Sequence, residues 1–298
     1  MAEGTMPQTH RQPAIFRFAP SPNGRLHLGH ALSAFLNHDM ARAAEGTFLI
    51  RIEDIDRTRC TPELERGILE DLAWLGLSSD RPIRRQSDHL EDYQAALQRL
   101  AELGVTYPSF MTRGDVRNHV MAAQAEGLAW PRDPDGAPLY PAIDRLRDAA
   151  EREARLKRGD RHAIRLDVGK AIAMAGPDLD WLETGEGVPR RVAANPAAWG
   201  DIVLSRSDAP GSYALSVVVD DAAQGVTDVV RGQDLYHATA IQRLLQVLLG
   251  LPEPVYHHHR LVLDEEGRKL SKSSNSTALA ELRTQGLTPS DIRRLVSL

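Results

Sequence analysis

Apolar positions follow two rhythms along this chain. Runs such as "AIFRFAPS" and "TFLIRIEDID" are short and almost continuously apolar before they turn polar, the pattern of buried strands feeding loops. From Leu28 to Glu45 the spacing changes: Leu28, Ala31, Leu32, Phe35, Leu36 and Met40 recur every three or four residues, which predicts a helix ending at Gly46. A second helix should open on Thr61-Pro62 and close at Gly76, since proline at the first helical position forgoes only an N–H that would be unpaired anyway. A third is expected from about Ser87, read as its cap, to Gly104. Strand, helix, strand, helix is the order of a parallel sheet with crossovers.

Between Tyr107 and about Arg191 the rhythm breaks. Pro-rich joints ("WPRDPDGAPLYP"), a charged helical stretch ("DRLRDAAEREARLKRGD") and one strand candidate ("HAIRLDV") predict a smaller inserted domain. The parallel order is then expected to resume with "DIVLSR", "YALSVVVDDAAQGVTDVVRG", a helix from His237 to Leu249 and a strand at "RLVLD", before final helical segments. The expected division is a catalytic first half at 14–106, an insertion at 107–191, a second half at 192–263, and a loop with C-terminal helices at 264–298.

Composition narrows the setting without naming a chemistry. The chain has 298 residues, 42% of them hydrophobic and 26% charged. No run approaches the ~18 apolar residues of a membrane span, so no membrane partner is expected. The opening "MAEGTMPQTHRQP" is polar, so no secretory signal is expected either. The single cysteine, Cys60, excludes an internal disulfide framework and suits a reducing cytoplasm. A net charge of −5 gives no global pull on nucleic acid; such binding would need local clusters of Arg and Lys.

Two segments carry candidate chemistry. "PSPNGRLHLGH" is a loop after the first strand that feeds a helix N-terminus, where unpaired N–H groups and the positive dipole end favour an anion. His27 and His30 on that turn can donate to phosphate oxygens, or can simply cap the helix, while Gly29 allows close approach of a ligand. The segment matches neither the dinucleotide glycine fingerprint nor the P-loop. "GRKLSKSS", Gly267 to Ser274, offers lysines and serines as a point-charge clamp for a triphosphate, or only a solvated loop.

Taken together, "HLGH" near the start and "KLSKS" near the end of an interrupted α/β domain resemble the two signatures of class I aminoacyl-tRNA synthetases. "RFAPSPNGRLHLGH", "RIEDID", "VVVDDAAQGVTDVVRG" and "LDEEGRKLSKS" resemble the glutamyl subgroup, in order from Arg17 to Ser273. The resemblance implies an α/β fold: a Rossmann-like parallel-sheet nucleotide-binding domain with an inserted smaller α+β domain and a short C-terminal helical segment. It implies ATP with Mg2+ and L-glutamate as substrates.

Glutamate presents two carboxylates and an ammonium, so its site needs cations or donors at two points and an anion at a third. Arg17 and Arg231 can fork carboxylates, Ser21 and Tyr213 are neutral donors, and Glu53 can hold the ammonium. These positions match the family's glutamate-binding residues, with Phe18, Ala19 and Pro20 lining the same site. An alternative for Arg17, Arg51, Glu53, Asp54 and Asp56 is a buried ion network at strand ends. By the resemblance, His27 and His30 hold the ATP phosphates, helped by Pro20, Gly29, Lys269 and Ser271, and Lys272 steadies the pyrophosphate side. Positioning and electrostatics then suffice, with no covalent nucleophile.

Three departures refine the picture. About twenty-five residues follow the KLSKS loop, too few for an anticodon-binding domain. That architecture resembles the glutamyl-queuosine tRNA(Asp) synthetases, which attach glutamate to the queuosine base at the wobble position; tRNA(Asp) bearing queuosine is the implied partner, and a monomer is expected. Charging of tRNA(Glu) by a truncated synthetase, and a silent tRNA-binding paralogue, are the competing readings. Where the family often holds zinc, this chain has Ser109, Met111, Tyr140 and Asp144, a set without thiolate or imidazole, so no zinc is expected. The run "HHH" at 257–259 is a poor substitute, because neighbouring strand residues face opposite ways; it is read as surface or partly packed, and Cys60 as inert.

Overall fold

The computed structural model describes residues 13–185, 187–206, 210–263 and 277–298. The first apolar run is strand β1 (Ile15–Phe18), followed by helix α1 (Leu28–Ala43). β1 pairs in parallel with β2 (Thr47–Ile52), in register from Ile15–Thr47 to Phe18–Ile50. Thr61 caps α2 (Pro62–Trp74) by accepting from the Leu64 N–H. The next helix begins later than Ser87. A 3-10 turn, Gln86–Asp88, follows the short β3 (Arg84–Arg85), and α3 spans Leu90–Glu102. Ser87 serves the loop after β2 instead, donating to Asp54 from its N–H at 2.8 Å and its hydroxyl at 2.6 Å.

The middle of the chain contains β4 (Thr106–Ser109), α4 (Arg113–Ala125), α5 (Ala149–Lys157), β5 (Ala163–Leu166), α6 (Val168–Ala175), β6 (Asp180–Glu183), β7 (Arg190–Ala193) and β8 (Val203–Arg206). After it come α7 (Tyr213–Gln224), β9 (Asp228–Gly232), α8 (Thr239–Leu249), β10 (Val255–His259), α9 (Leu279–Thr284) and α10 (Pro289–Leu295). The large sheet has the order β3-β2-β1-β9-β10-β6-β7 and is parallel except for the β6–β7 hairpin. A small antiparallel sheet has the order β4-β5-β8.

Three strand expectations change. "DIVLSR" does not resume the parallel sheet: β8 pairs with β5 and completes the small one. Conversely, β6 and β7 leave the middle segment to join the large sheet, where Glu183 lies in register with Tyr256. The last parallel strand is "VYHHH" and not "RLVLD"; its five residues pair with β9 from Val255–Asp228 to His259–Gly232. Hydropathy passes over three histidines in a row, yet a paired strand can bury imidazoles whose polar atoms are bonded.

The large sheet also explains where a cleft forms. β1 and β9 come from opposite halves of the chain, and they pair through a single register position, Phe16 with Asp228. The ladder goes no further toward the carboxyl ends of the two strands, the end of an open α/β sheet that holds ligands. Asn37, fully buried in α1, bridges the opening by donating to the Val230 carbonyl at 3.0 Å and to Ser33 at 2.8 Å. Beneath it Phe16, Phe18, Leu32 and Phe35 pack with Leu279, Ile292 and Val296 from the last two helices. Complete burial of such a side chain is worth about 1.5–3 kcal/mol.

Asn37→Ala should therefore cost about 1–3 kcal/mol, the penalty of a buried carbonyl left without a donor. Urea unfolding of the variant beside the parent measures it; an unchanged midpoint would show that the carbonyl finds another donor.

Candidate active site

The first helix starts on its two histidines. His27 is the N-cap of α1, with its Nδ1 accepting from the Gly29 N–H at 3.1 Å, and His30 Nδ1 accepts from the His27 N–H at 3.2 Å. The rings lie 3.8 Å apart, centroid to centroid. Both imidazoles thus do cap the helix, and the capping fixes their chemistry. With Nδ1 committed as an acceptor, the neutral ring carries its proton on Nε2, which is therefore a donor. Gly29 has a further reason beyond ligand approach: a Cβ there would stand 3.1 Å from the His27 ring.

Behind the cleft lies a buried charge network. Arg51, with no exposed surface, donates to Asp221 at 2.7 Å, to Gln224 at 3.1 Å and to Glu53 at 3.1 Å, and lies 3.8 Å from Asp220. Arg17 donates to Asp221 through Nε at 3.0 Å and Nη2 at 3.5 Å. Asp220 is held in turn by Arg84, Gln86 and Tyr93 at 2.7–3.0 Å. Burial alone would raise the Asp221 carboxyl, but Arg17 and Arg51 hold it below its usual range. Glu53 goes the other way: burial lifts its carboxyl above the ordinary value, against the pull of Arg51 and Arg17.

The ion network read as an alternative is thus present for Arg17, Arg51 and Glu53. Asp54 and Asp56 stand outside it. Asp54 holds Ser87, and Asp56 binds Thr58 at 2.6 Å and Arg59 at 2.8 Å. Sequence reasoning missed Asp220 and Asp221, although two adjacent carboxylates inside "VVVDDAAQ" were a signal. An apolar helix buries a charge only against a partner.

Arg231, at the end of β9, is held on one edge. Its Nε donates to His258 Nε2 at 3.1 Å, and its Nη2 donates to Thr239 at 2.8 Å and to the Leu235 carbonyl at 3.3 Å. Its Nη1 is buried without a hydrogen-bond partner among the described residues. The run 257–259 is not a surface feature. His258 and His259 are buried, and only His257 is half-exposed. His259 Nδ1 meets the Arg260 carbonyl at 2.8 Å, which leaves its buried Nε2 with no partner there.

These groups surround a cavity of about 680 Å³. Arg17, Phe18, Ala19, Pro20 and Ser21 line it from the end of β1, and His27, Gly29 and His30 from α1. Glu53, Tyr213 and Arg231 complete the wall, with His259, Asp234 and Leu261 as lining residues that the sequence reading did not include. Lys269, Ser271 and Lys272 lie outside the described residues. Their described flanks reach the site: Val262 lines the cavity, and Ala278 forms a β-bridge with His27. Cys60 touches the wall from behind, 3.7 Å from the Ser21 hydroxyl, and burial raises its thiol, which keeps it protonated.

One expectation about the two arginines changes in detail. In each, the Nε and Nη2 edge is engaged by the protein, by Asp221 for Arg17 and by His258 and Thr239 for Arg231. A substrate carboxylate would meet the remaining side of each guanidinium and not that fork.

Of the four positions read as a lost metal site, Met111, Tyr140 and Asp144 belong to a hydrogen-bonded knot around the Asp144 carboxylate, and Ser109 is tied to β5. Buried Asp144 accepts from the Phe110 N–H at 2.8 Å, the Met111 N–H at 3.4 Å, Arg147 Nε at 2.5 Å and the Tyr140 hydroxyl. The Ser109 hydroxyl donates to the Ala163 carbonyl at 3.2 Å and accepts from Arg165 at 3.1 Å. A thioether and a carboxylate saturated by donors do not suit zinc.

Comparison with known proteins places the fold in a family. Residues 15–298 match the family of class I tRNA synthetases (E and Q), catalytic domain. The chain is 48% identical to a glutamyl-Q tRNA(Asp) synthetase of Rhodobacter capsulatus, over 95% of this chain and 100% of that protein. It is 35% identical to a glutamate–tRNA ligase of a Synechococcus species, over 95% of this chain but 56% of that enzyme. A crystal structure of a glutamate tRNA ligase from Elizabethkingia meningosepticum, in complex with its amino acid, superposes with a TM-score of 0.77 at 25% identity. That match covers 96% of this chain and 60% of the other. The chain belongs to the class I aminoacyl-tRNA synthetases, through the catalytic domain of their glutamyl and glutaminyl branch. It is a ligase of that type, with a Rossmann-like, mostly parallel central sheet, and class I synthetases use ATP. Among the described residues, no helix is long and apolar enough to cross a membrane.

Arg51→Met should destabilise the protein by about 3–5 kcal/mol, since it leaves Glu53 without its hydrogen-bonded cation and Asp221 with Arg17 alone. Denaturant unfolding at neutral pH checks the size; a loss under 1 kcal/mol would mean that water or relaxation rescues them.

Asp144→Ala should lower stability by about 3 kcal/mol because Arg147, Tyr140 and two N–H groups lose their shared acceptor. A chelator should leave the parent's melting temperature unchanged. Tightly held stoichiometric zinc by elemental analysis would contradict this account of the insertion.

Proposed function

We propose that this chain activates L-glutamate with ATP, taken as its magnesium complex, and transfers the glutamyl group to the queuosine base at the wobble position of tRNA(Asp). The observation that carries the reading is one cavity walled by two buried arginines, a buried carboxylate and two imidazole donors at a helix start.

In this reading Arg17 and Arg231 meet the glutamate carboxylates, Glu53 takes the ammonium, and Ser21 and Tyr213 are neutral donors. Burial raises the Glu53 carboxyl, and a substrate ammonium beside it would favour ionisation. His27 and His30 donate from Nε2 to the ATP phosphates, with the α1 N-terminus adding its positive end. A glutamate carboxylate oxygen attacks the α-phosphorus, forming the acyl phosphate bond as the bond to pyrophosphate breaks. In the second step the acceptor attacks the acyl carbon and AMP leaves. Lys272 steadying the pyrophosphate, with Lys269 and Ser271 at the nucleotide, rests on the KLSKS motif alone. The chain acts as a cytoplasmic monomer.

The queuosine acceptor rests on likeness to glutamyl-Q tRNA(Asp) synthetases, at 48% identity over 100% of one and 43% over 83% of another from Leptothrix cholodnii. The likeness to glutamate–tRNA ligases keeps tRNA(Glu) as a second reading.

Radiolabelled glutamate offered with tRNA(Asp) and tRNA(Glu) separates them. Label should appear only on tRNA(Asp) that carries queuosine, and aspartate or glutamine should replace glutamate poorly. Labelling of tRNA(Glu) in place of tRNA(Asp) would establish the second reading, and no labelling of either would point to a silent paralogue.

A further inference from the structure

We infer that Glu183 and His258, neither of which lines the cavity, are positioning residues that aim Arg231 at the amino-acid substrate. The inference rests on the reading that Arg231 receives a glutamate carboxylate.

The argument is one of donors and acceptors. All three side chains are buried, at 4%, 2% and 5% exposure for Glu183, His258 and Arg231. Glu183 sits in β6 with both oxygens committed. Oε1 accepts from the His258 N–H at 3.0 Å and the Gly185 N–H at 2.9 Å, and Oε2 accepts from Trp181 Nε1 at 3.2 Å and meets His258 Nδ1 at 2.6 Å. A carboxylate so placed can only accept, so His258 carries its proton on Nδ1. Arg231 Nε can only donate, so the His258 Nε2 that it meets must be the bare lone pair. The chain Glu183–His258–Arg231 therefore permits one neutral tautomer of His258. That tautomer, with Thr239 and the Leu235 carbonyl, fixes the guanidinium plane. What is left over is Nη1, buried and unpartnered among the described residues, on a side chain that lines the cavity. Gly185 lets the device fit: a Cβ there would stand 2.2 Å from the His258 carbonyl oxygen.

The device is sensitive to protonation. An imidazolium at 258 would turn an Nε2–H against the Arg231 Nε–H and push the guanidinium off its mark. The groups facing His258 are Glu183 from β6, Arg231 from β9, the Tyr236 ring before α8, and Tyr256 and His259 in its own strand. Burial and Arg231 oppose its charging, while Glu183 favours it; the balance lies below the ordinary imidazole value.

The test uses the full chain and its apparent affinities for glutamate and ATP, each read from ligand-dependent thermal stabilisation. H258A should weaken glutamate about tenfold or more, the size expected for losing a hydrogen bond to a charged group, and leave ATP within about twofold. H258Q, whose amide oxygen can stand where Nε2 stood, should recover most of that loss. In the parent, glutamate affinity should fall only at pH values below the ordinary imidazole range, because burial holds His258 neutral, and that fall should be smaller in H258Q. Parallel loss of ATP and glutamate affinity in H258A, or no recovery in H258Q, would reduce His258 to packing and overturn the inference. R231A separates the two layers. If it loses glutamate affinity while H258A does not, only the positioning role falls; if R231A binds glutamate like the parent, the substrate reading falls with it.

Discussion

A guanidinium without solvent contact holds this site together. Arg51 projects from β2 and meets Asp221 and Asp220 of α7 and Glu53 at the end of its own strand. Taking one such ion out of water costs several kcal/mol, so the arrangement persists only because every charge finds partners of opposite sign. Burial would lower the Arg51 pKa, yet the three carboxylates drive it above its ordinary value. Through Asp221 the same cation governs Arg17, and through Glu53 it fixes the carboxylate that faces the cavity. One residue thus couples both halves of the interrupted domain to the geometry of the pocket.

The sheet order supplies the space that this network lines. β1 and β9 are neighbours drawn from opposite ends of the chain, and their ladder is a single register position long. Asn37 takes over where the ladder stops, spending a side-chain amide on the Val230 carbonyl one residue before Arg231. The cleft is therefore a consequence of topology. The histidine loop, Glu53, Tyr213 and Arg231 are all delivered to it because each lies at or just past the carboxyl end of a strand or opens a helix.

Much of this was legible in the residues, and the illegible parts have physical causes. The helical spacing in Leu28–Met40, the Thr61-Pro62 start and the first two strands depend on local pattern, and local pattern shows them. Sheet membership does not depend on it. "DIVLSR" and "DWLE" are both short strands, and only tertiary pairing sends the first to the small sheet and the second beside "VYHHH". The cavity brings together the eleven described positions read from motifs, because those motifs record side chains at strand ends. Asp220, Asp221, Glu183 and His258 act from the layer behind. A carboxylate whose partner lies 170 residues away leaves no spacing to read.

Two buried carboxylates outside the charge network, Asp144 and Glu183, share one logic. A metal ion organises a site by collecting acceptors; these groups do the reverse and collect donors. Asp144 gathers two backbone N–H groups, a phenol and a guanidinium, and so cross-links separate segments of the chain through one anion. Glu183 gathers two backbone N–H groups, an indole and an imidazole, and burial is outweighed so far that its carboxyl falls to about 2. A charge that firm stays ionised at any pH the site would work at. It can therefore dictate the tautomer of its neighbour, whereas a neutral acceptor could rotate or exchange its role. Asp221 and, through His258, Glu183 are thus anions behind the wall that hold Arg17 and Arg231 in place on it, which is the arrangement a site for a doubly anionic amino acid requires.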